Sequence, residues 1–321
     1  MKEVNMCVAS APSSTANLGS GFDVFGLALD LFTDEVKITK YPNSNENGRI
    51  SIDKIFSAEE FKIPMNIKNN SAGLVIEKIV KDFKINNSLK IEITKGVPPG
   101  YGIGSSAASA TAAALACNEL FDLKMNKEQL IKYAVEGEIA SAGTKHYDNV
   151  SSSLLGGFTI VRTKPKIEFI KIEPPENLRI VIAIPKINVP KNKTEVARKV
   201  IPKTISIEDL TTTISNASSV VAGFASKNVD MIGKGIKDII VEPLRKQMIP
   251  GYDQVKKYAL DTGSLAVTIS GAGPSIIAFL NTDENTNQVK NAMKRGFREN
   301  NVDSDIYLCK PSNGAKIEIK E

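Results

Sequence analysis

Apolar and polar positions alternate along Val36–Tyr41 and, more strictly, along Leu89–Lys95 (LKIEITK), so both segments read as strands. Between them Leu74, Val75, Ile79, Val80 and Phe83 recur at helical spacing, which predicts a helix over Ala72–Phe83. A small-residue helix over Ser105–Leu120 follows the second strand. A further helix runs over roughly Lys127–Ala140, with Asn126 as its N-cap. Gly156–Arg162 reads as a strand after a Gly-Gly turn. The Lys- and Pro-rich stretch Lys164–Pro175 reads as a hinge, dividing the chain into 1–165 and 166–321.

Past that stretch, Leu178–Ile184 is a β-branched strand ended by Pro185. Helical patterns cover about Thr194–Val200, Ile207–Ala225, Asp230–Ile240 and Tyr252–Asp261. Strands are expected at Ser264–Ser270, Pro274–Asn281 and Ser304–Leu308, with a helix at Asn285–Asn300 before the last of them. Helix, strand, turn, strand, helix, strand is the order of an α+β sandwich on an antiparallel sheet.

A chain of 321 residues is long enough for two domains, and 42% apolar with 24% charged residues is ordinary globular composition. The net charge of +5 is spread along the chain and Trp is absent, which argues against nucleic acid as a partner. Three scattered cysteines and one histidine make neither a disulfide framework nor an ordinary zinc site. The N-terminus MKEVNMCVAS lacks a long apolar core. The most apolar helix, Ala107–Leu120, is alanine-rich and broken by Ser, Thr and Asn. No leader and no membrane span are therefore expected, and the cytoplasm is the expected compartment.

The run from Pro98 to Ala110, PPGYGIGSSAASA, carries the chemistry. Gly100, Gly102 and Gly104 let the backbone approach a ligand, and Ser105 and Ser106 stand where a helix begins. Free N–H groups at a helix N-terminus attract phosphates, and a serine hydroxyl can reach a metal. No Lys follows the last Gly, so this is not a Walker A loop.

Two further segments, APSSTANLGSGFDVFGLAL (Ala11–Leu29) and TISGAGPSIIAF (Thr268–Phe279), complete a set of three in order. Alone, GAGPS reads as a hairpin turn. Together the three segments resemble the signature motifs of the GHMP kinases. That resemblance implies an α+β fold of two halves, the first like ribosomal protein S5 domain 2 and the second ferredoxin-like. It implies ATP bound by Pro98, Gly100, Gly102, Ile103, Gly104, Ser105, Ser106 and Ala107. Asn70 stands on the nucleotide side, where a plain N-cap explains it equally well.

Within the family the substrate-side residues resemble those of the homoserine kinases. TANLGSGFD gives Asn17 and Asp23, with Asp23 on the substrate ammonium; Ser20 stands where Pro is usual and is expected to loosen the turn. EIASAGTKHYDNVSSSLLGG gives Glu138 as the Mg²⁺ ligand, shared with Ser106 or, as the alternative, Ser105. It also gives His146 and Asn149 in the acceptor pocket. KTEVARKVIP gives Thr194 and Arg198, VEPLRKQMIPGY gives Arg245, and Gly271 lies at the turn. An amino acid needs a carboxylate for its ammonium and an Arg fork for its carboxylate, which Asp23, Arg198 and Arg245 offer.

The resemblance implies transfer of the ATP γ-phosphoryl group to L-homoserine, giving O-phospho-L-homoserine and ADP on the way to threonine, by a homodimer. Asn149 would orient the hydroxyl. Asp148 is a rival base, although side chains of loop neighbours generally point apart. A mevalonate- or shikimate-type kinase, or a regulator that has lost catalysis, are the competing expectations.

Overall fold

The computed structural model describes residues 5–41, 49–57, 61–143, 145–190 and 193–321. The first part runs β1 (Met6–Asn17), β2 (Gly21–Tyr41), β3 (Ile50–Ser57), α1 (Ser71–Asp82), β4 (Ser88–Lys95), α2 (Ser105–Leu120), α3 (Lys127–Ala134), α4 (Glu136–Ala142), α5 (Tyr147–Leu155), β5 (Phe158–Arg162) and β6 (Glu168–Ile172). The second runs β7 (Arg179–Pro185), α6 (Lys193–Lys199), α7 (Ile207–Ala225), α8 (Val229–Gly235), α9 (Glu242–Arg245), α10 (Tyr252–Asp261), β8 (Ala266–Ile269), β9 (Ile276–Leu280), α11 (Thr286–Arg298) and β10 (Ser304–Cys309). A last strand, β11 (Lys316–Lys320), returns to pair with β1.

The first sheet has the order β11-β1-β2-β4-β3, with β5 on β2 and β6 on β5. The long β2 serves two partners. Phe25–Leu27 pairs with β5, and Asp34–Tyr41 pairs with β4. One face of this sheet buries Val36, Ile38, Leu89, Ile91 and Ile93 against α1, α2 and α3. Helix α2 is buried nearly all round, which its alanines allow because small side chains let neighbours close on every side.

The second sheet, β10-β7-β9-β8, is antiparallel, and β7, β8, β9, α11 and β10 follow the ferredoxin-like strand order. An apolar core shared by both halves includes Leu27, Leu29, Ile103, Phe158, Ile180 and Phe224. Phe158 and Phe224 stack across it at 3.9 Å.

Several boundaries differ from the sequence reading. The stretch expected to be a hinge holds β6, which hydrogen-bonds to β5, so position 165 lies in the turn of a hairpin. The helix expected over Lys127–Ala140 breaks at Val135 into α3 and α4. Asp230–Ile240 is helical only as far as Gly235, and the segment HYDN forms the start of α5 rather than a loop. No described helix is long and apolar enough to cross a membrane, and Met1–Val4 lie outside the described residues.

Candidate active site

A cavity of about 680 Å³ opens where the two halves meet. Its wall takes in the glycine loop, the first turns of α2, α4 and α5, the turn after β1, α6 and the Gly271–Ala272 turn. One side is the glycine loop and the start of α2. Gly104, left-handed at φ 73°, is the N-cap of α2 and offers no side chain. A Cβ there would lie 2.1 Å from Ser14 Oγ, so the close crossing of loop and β1 requires glycine. The first hydrogen-bonded amide of α2 is that of Ala108, to Gly104 O, so the amides of Ser105, Ser106 and Ala107 precede the helical ladder.

The loop is fixed from below. Lys95 Nζ donates to Asp34, to the Ser105 carbonyl at 2.6 Å and to Ser109 Oγ at 2.8 Å. Asp34 in turn accepts the amides of Gly96 and Val97 at 3.0 and 2.9 Å. This buried ion pair joins the end of β4 to the start of α2. Sequence reasoning passed over it, yet a signal was present. Lys95 is in phase with Ile91 and Ile93, and Asp34 with Val36 and Ile38, so both charges fall on the buried side of the alternation.

The two candidate serines separate clearly. Ser105 is buried and its Oγ donates to Val97 O at 2.8 Å. Ser106 instead hydrogen-bonds the Glu138 carboxylate. Glu138 is held inside by Gly137, where a Cβ would lie 2.7 Å from both Ala110 Cβ and Ser71 O, so α4 packs directly on α1 and α2. It is a buried carboxyl in a helix of its own, not a solvated helix end, and burial pushes its pKa up to about 7.

His146 Nδ1 lies 3.8 Å from Glu138 Oε2, at the N-cap of α5. Burial first, and Arg198 next, lower its pKa, which favours the neutral imidazole. Asp148 and Asn149 lie in the first turn of α5, and Asp148 Oδ1 accepts from the Asn149 amide at 2.7 Å. Asn149 Nδ2 approaches Asp148 Oδ1 at 3.4 Å, and Asn149 Oδ1 accepts from Ser14 Oγ at 3.0 Å. Asp148 is buried, and burial followed by the nearby Asp23 raises its carboxyl to about 7.

Opposite lie Asn17, Asp23, Arg198 and Arg245. Asn17 and Asp23 take left-handed backbone angles (φ 72° and 58°) in a turn tied by Asn17 Oδ1 accepting from the Asp23 amide at 3.1 Å. Ser20, beside this turn, is buried and its Oγ donates to Gly235 O at 3.1 Å. Asn17 Nδ2 and Arg245 Nη1 both donate to Gly271 O, at 2.8 and 3.1 Å. Arg198 Nη2 pairs with Asp23 Oδ2.

Phe22, unmarked in the sequence reading, lies under both guanidinium groups, 5.6 Å from Arg198 and 5.3 Å from Arg245. The other missed group is Lys193, which is buried and lines the cavity.

Of the predicted positions, Asn17, Asp23, Asn70, Gly100, Gly102, Gly104, Ser105, Ser106, Glu138, His146, Asn149, Thr194, Arg198, Arg245 and Gly271 line this one cavity. Asn70 also caps α1, accepting from the Gly73 amide at 3.1 Å. Pro98, Ile103 and Ala107 do not line it. Ile103 and Ala107 turn their side chains into the core.

The family model for the GHMP kinases N terminal domain matches residues 70–157, and that for the GHMP kinases C terminal matches residues 220–299. The chain belongs to the GHMP kinase family. It is 38% identical over 320 residues to a homoserine kinase of Methanococcus maripaludis, covering 99% of each chain. It is 36% identical over 312 residues to one of Haloarcula marismortui, covering 97% of this chain and 100% of the other. The crystal structure of the homoserine kinase from Cytophaga hutchinsonii ATCC 33406 superposes with a TM-score of 0.89 at 36% identity, covering 99% of this GHMP kinase and 98% of that chain.

Proposed function

We propose that this GHMP kinase is an ATP-dependent homoserine kinase, making O-phospho-L-homoserine and ADP. The observation that carries the reading is the shared cavity. A helix N-terminus built for phosphates and a carboxylate with two arginines suited to an amino acid face one space.

ATP phosphates would lie on the amides of Ser105, Ser106 and Ala107, with Ile103 and Ala107 contributing main-chain atoms only. Asp23 takes the substrate ammonium, and Arg198 and Arg245 take its carboxylate. Thr194, His146, Asn17 and Gly271 complete the wall. The acceptor oxygen forms a bond to the γ-phosphorus as the bond from phosphorus to the ADP oxygen breaks, and the hydroxyl proton passes to a phosphate oxygen or to water. Such a transfer needs positioning and charge neutralisation above all.

Glu138 and Ser106 fit Mg²⁺. Both offer oxygen donors, and the buried carboxyl with its raised pKa is a group that a cation would return to its charged form. Ser106 rather than Ser105 is assigned because the Ser105 hydroxyl is held by Val97 O. When bound, the metal supplies neutralisation of phosphate charge.

Asn149 orients the acceptor hydroxyl, braced by Ser14. A second reading gives the proton to Asp148, and its burial in the cavity wall with a carboxyl raised to about 7 favours it. Asp148→Asn separates the two. A kcat loss of about 10²–10⁴ makes it the base, while a loss under about tenfold leaves it as a brace for Asn149. We place the protein in the cytoplasm as a homodimer in threonine biosynthesis, and we put the division of the chain after β6 rather than at residue 165, because β5 and β6 pair in one sheet.

The test is ADP release from Mg·ATP with L-homoserine, L-threonine, mevalonate and shikimate offered separately. Release with L-homoserine alone supports the reading. Release with mevalonate or shikimate instead reassigns the acceptor, and none with any acceptor despite ATP binding favours a regulator.

A further inference from the structure

Lys193 is a buried lysine in the cavity wall that the chemistry above does not use. Its Nζ donates to the carbonyl of Gly273, in the turn that follows β8. That turn is itself locked to the glycine loop, because Ser270 Oγ donates to Gly102 O at 2.8 Å and the Ser275 amide to Tyr101 O at 3.3 Å. The Lys193 amide donates to Pro190 O at 3.0 Å, and Val189 packs over Gly100. The side chain therefore joins the start of α6 to the framework of the phosphate loop.

Helix α6 has seven residues and cannot hold its shape by propensity alone. It is anchored at two points one turn apart. Lys193 reaches Gly273, and the Ala197 carbonyl accepts from Arg245 Nε at 3.0 Å. Lys193 and Ala197 are its buried residues, spaced i, i+4. Thr194 and Arg198 are the next i, i+4 pair, on the neighbouring stripe, and both line the cavity. The anchored stripe therefore sets the direction of the recognition stripe.

We infer that Lys193 is a positioning residue for the amino-acid acceptor: by tying α6 to Gly273 it fixes Thr194 and Arg198 against Arg245 and Gly271. Burial, and then the charge of Arg245, lower its pKa to about 7, which favours the neutral amine relative to an exposed lysine. The inference rests on the kinase reading, and the experiment separates the two.

Lys193→Met keeps the stem and removes the donor. The expected result is an acceptor KM for L-homoserine about tenfold higher, with kcat and the ATP KM within twofold of wild type, the loss of one buried hydrogen bond being about 1.4 kcal/mol. Lys193→Arg, which keeps a donor, restores at least half of that loss on a logarithmic scale. Hydrogen exchange without substrate is measured alongside, and Lys193→Met speeds exchange at Thr194–Arg198 while leaving α2 unchanged. An acceptor KM within twofold of wild type overturns the inference, as does a rise in both KM values with a general loss of thermal stability. Should wild type release no ADP with L-homoserine, the kinase reading fails. The exchange arm then judges the tie by itself: unchanged exchange in α6 overturns it. If Lys193→Met does not fold, Lys193→Arg with wild-type exchange in α6 supports it, and faster exchange overturns it.

Discussion

Arg198 Nη2 lies 2.7 Å from Asp23 Oδ2, so the group assigned to the substrate carboxylate and the group assigned to its ammonium pair with each other. Both side chains remain partly open to solvent. A zwitterion entering between them exchanges one ion pair for two, which favours a ligand bearing both charges over one bearing either alone.

Asp23→Asn and Arg198→Met each raise the KM for L-homoserine about ten- to a hundredfold, the range of a charge-assisted hydrogen bond, and leave the ATP KM within about twofold. The double variant loses less than the product of the two, because the residues are in direct contact. Steady-state kinetics of the three variants check this.

Ser106→Ala raises the Mg²⁺ concentration for half-maximal rate about tenfold, since one oxygen donor of the metal site is lost. Ser105→Ala leaves that concentration unchanged and lowers stability by about 1 kcal/mol through the lost bond to Val97 O. Mg²⁺ titrations and urea unfolding separate the two serines.

Lys95→Met leaves Asp34 buried without its cation and costs about 3–5 kcal/mol in urea unfolding. Replacing Asp34 by Asn in addition costs less than the sum of the single changes. The damage extends to ATP affinity, because Lys95 also holds the Ser105 carbonyl at the start of the phosphate-binding helix.

Asp148 has a carboxyl raised from 3.8 to about 7 in the folded protein. Between those values the folded state holds a proton that the unfolded state has released, so this group lowers stability as pH rises from about 4 to about 7. Glu138 acts in the same direction, and His146, whose pKa is lowered, acts in the opposite one. Asp148→Asn removes the Asp148 contribution and lessens the upward shift of Glu138, to which the Asp148 charge adds. Its melting temperature gains on wild type steadily from pH 5 to pH 7.5 and is constant relative to it beyond, as thermal melts across that range read out.

How far the sequence spoke depended on the kind of signal each residue carried. α7 and α10 matched their predicted bounds because long amphipathic helices advertise their period. β1 was invisible as a strand because both of its faces are buried, so Pro12, Ser13, Ser14 and Thr15 show no alternation. β6 is a short hairpin partner of β5 next to a Lys- and Pro-rich turn, and β11 is a short strand whose partner β1 is distant in sequence. The cavity-lining set was legible through three motifs, but the roles of Ser105 and Ser106 were not, since adjacent hydroxyls differ only once the helix phase is fixed. Phe22 lies within TANLGSGFD, but an aromatic side chain carries no charge that marks it as a site residue in the sequence. Lys193 was passed over because its burial comes from its phase with Ala197 on a helix only seven residues long.

The most direct test of the central claim is ³¹P NMR of the product formed from Mg·ATP with three alcohols: L-homoserine, 4-hydroxybutyrate, which lacks the ammonium, and 3-aminopropan-1-ol, which lacks the carboxylate. The account predicts a phosphomonoester signal with L-homoserine and rates about ten- to a hundredfold lower with either analogue, the range of one lost charge-assisted hydrogen bond. Comparable rates with either analogue would contradict it, because Asp23 or the arginine pair would then play no part in choosing the acceptor.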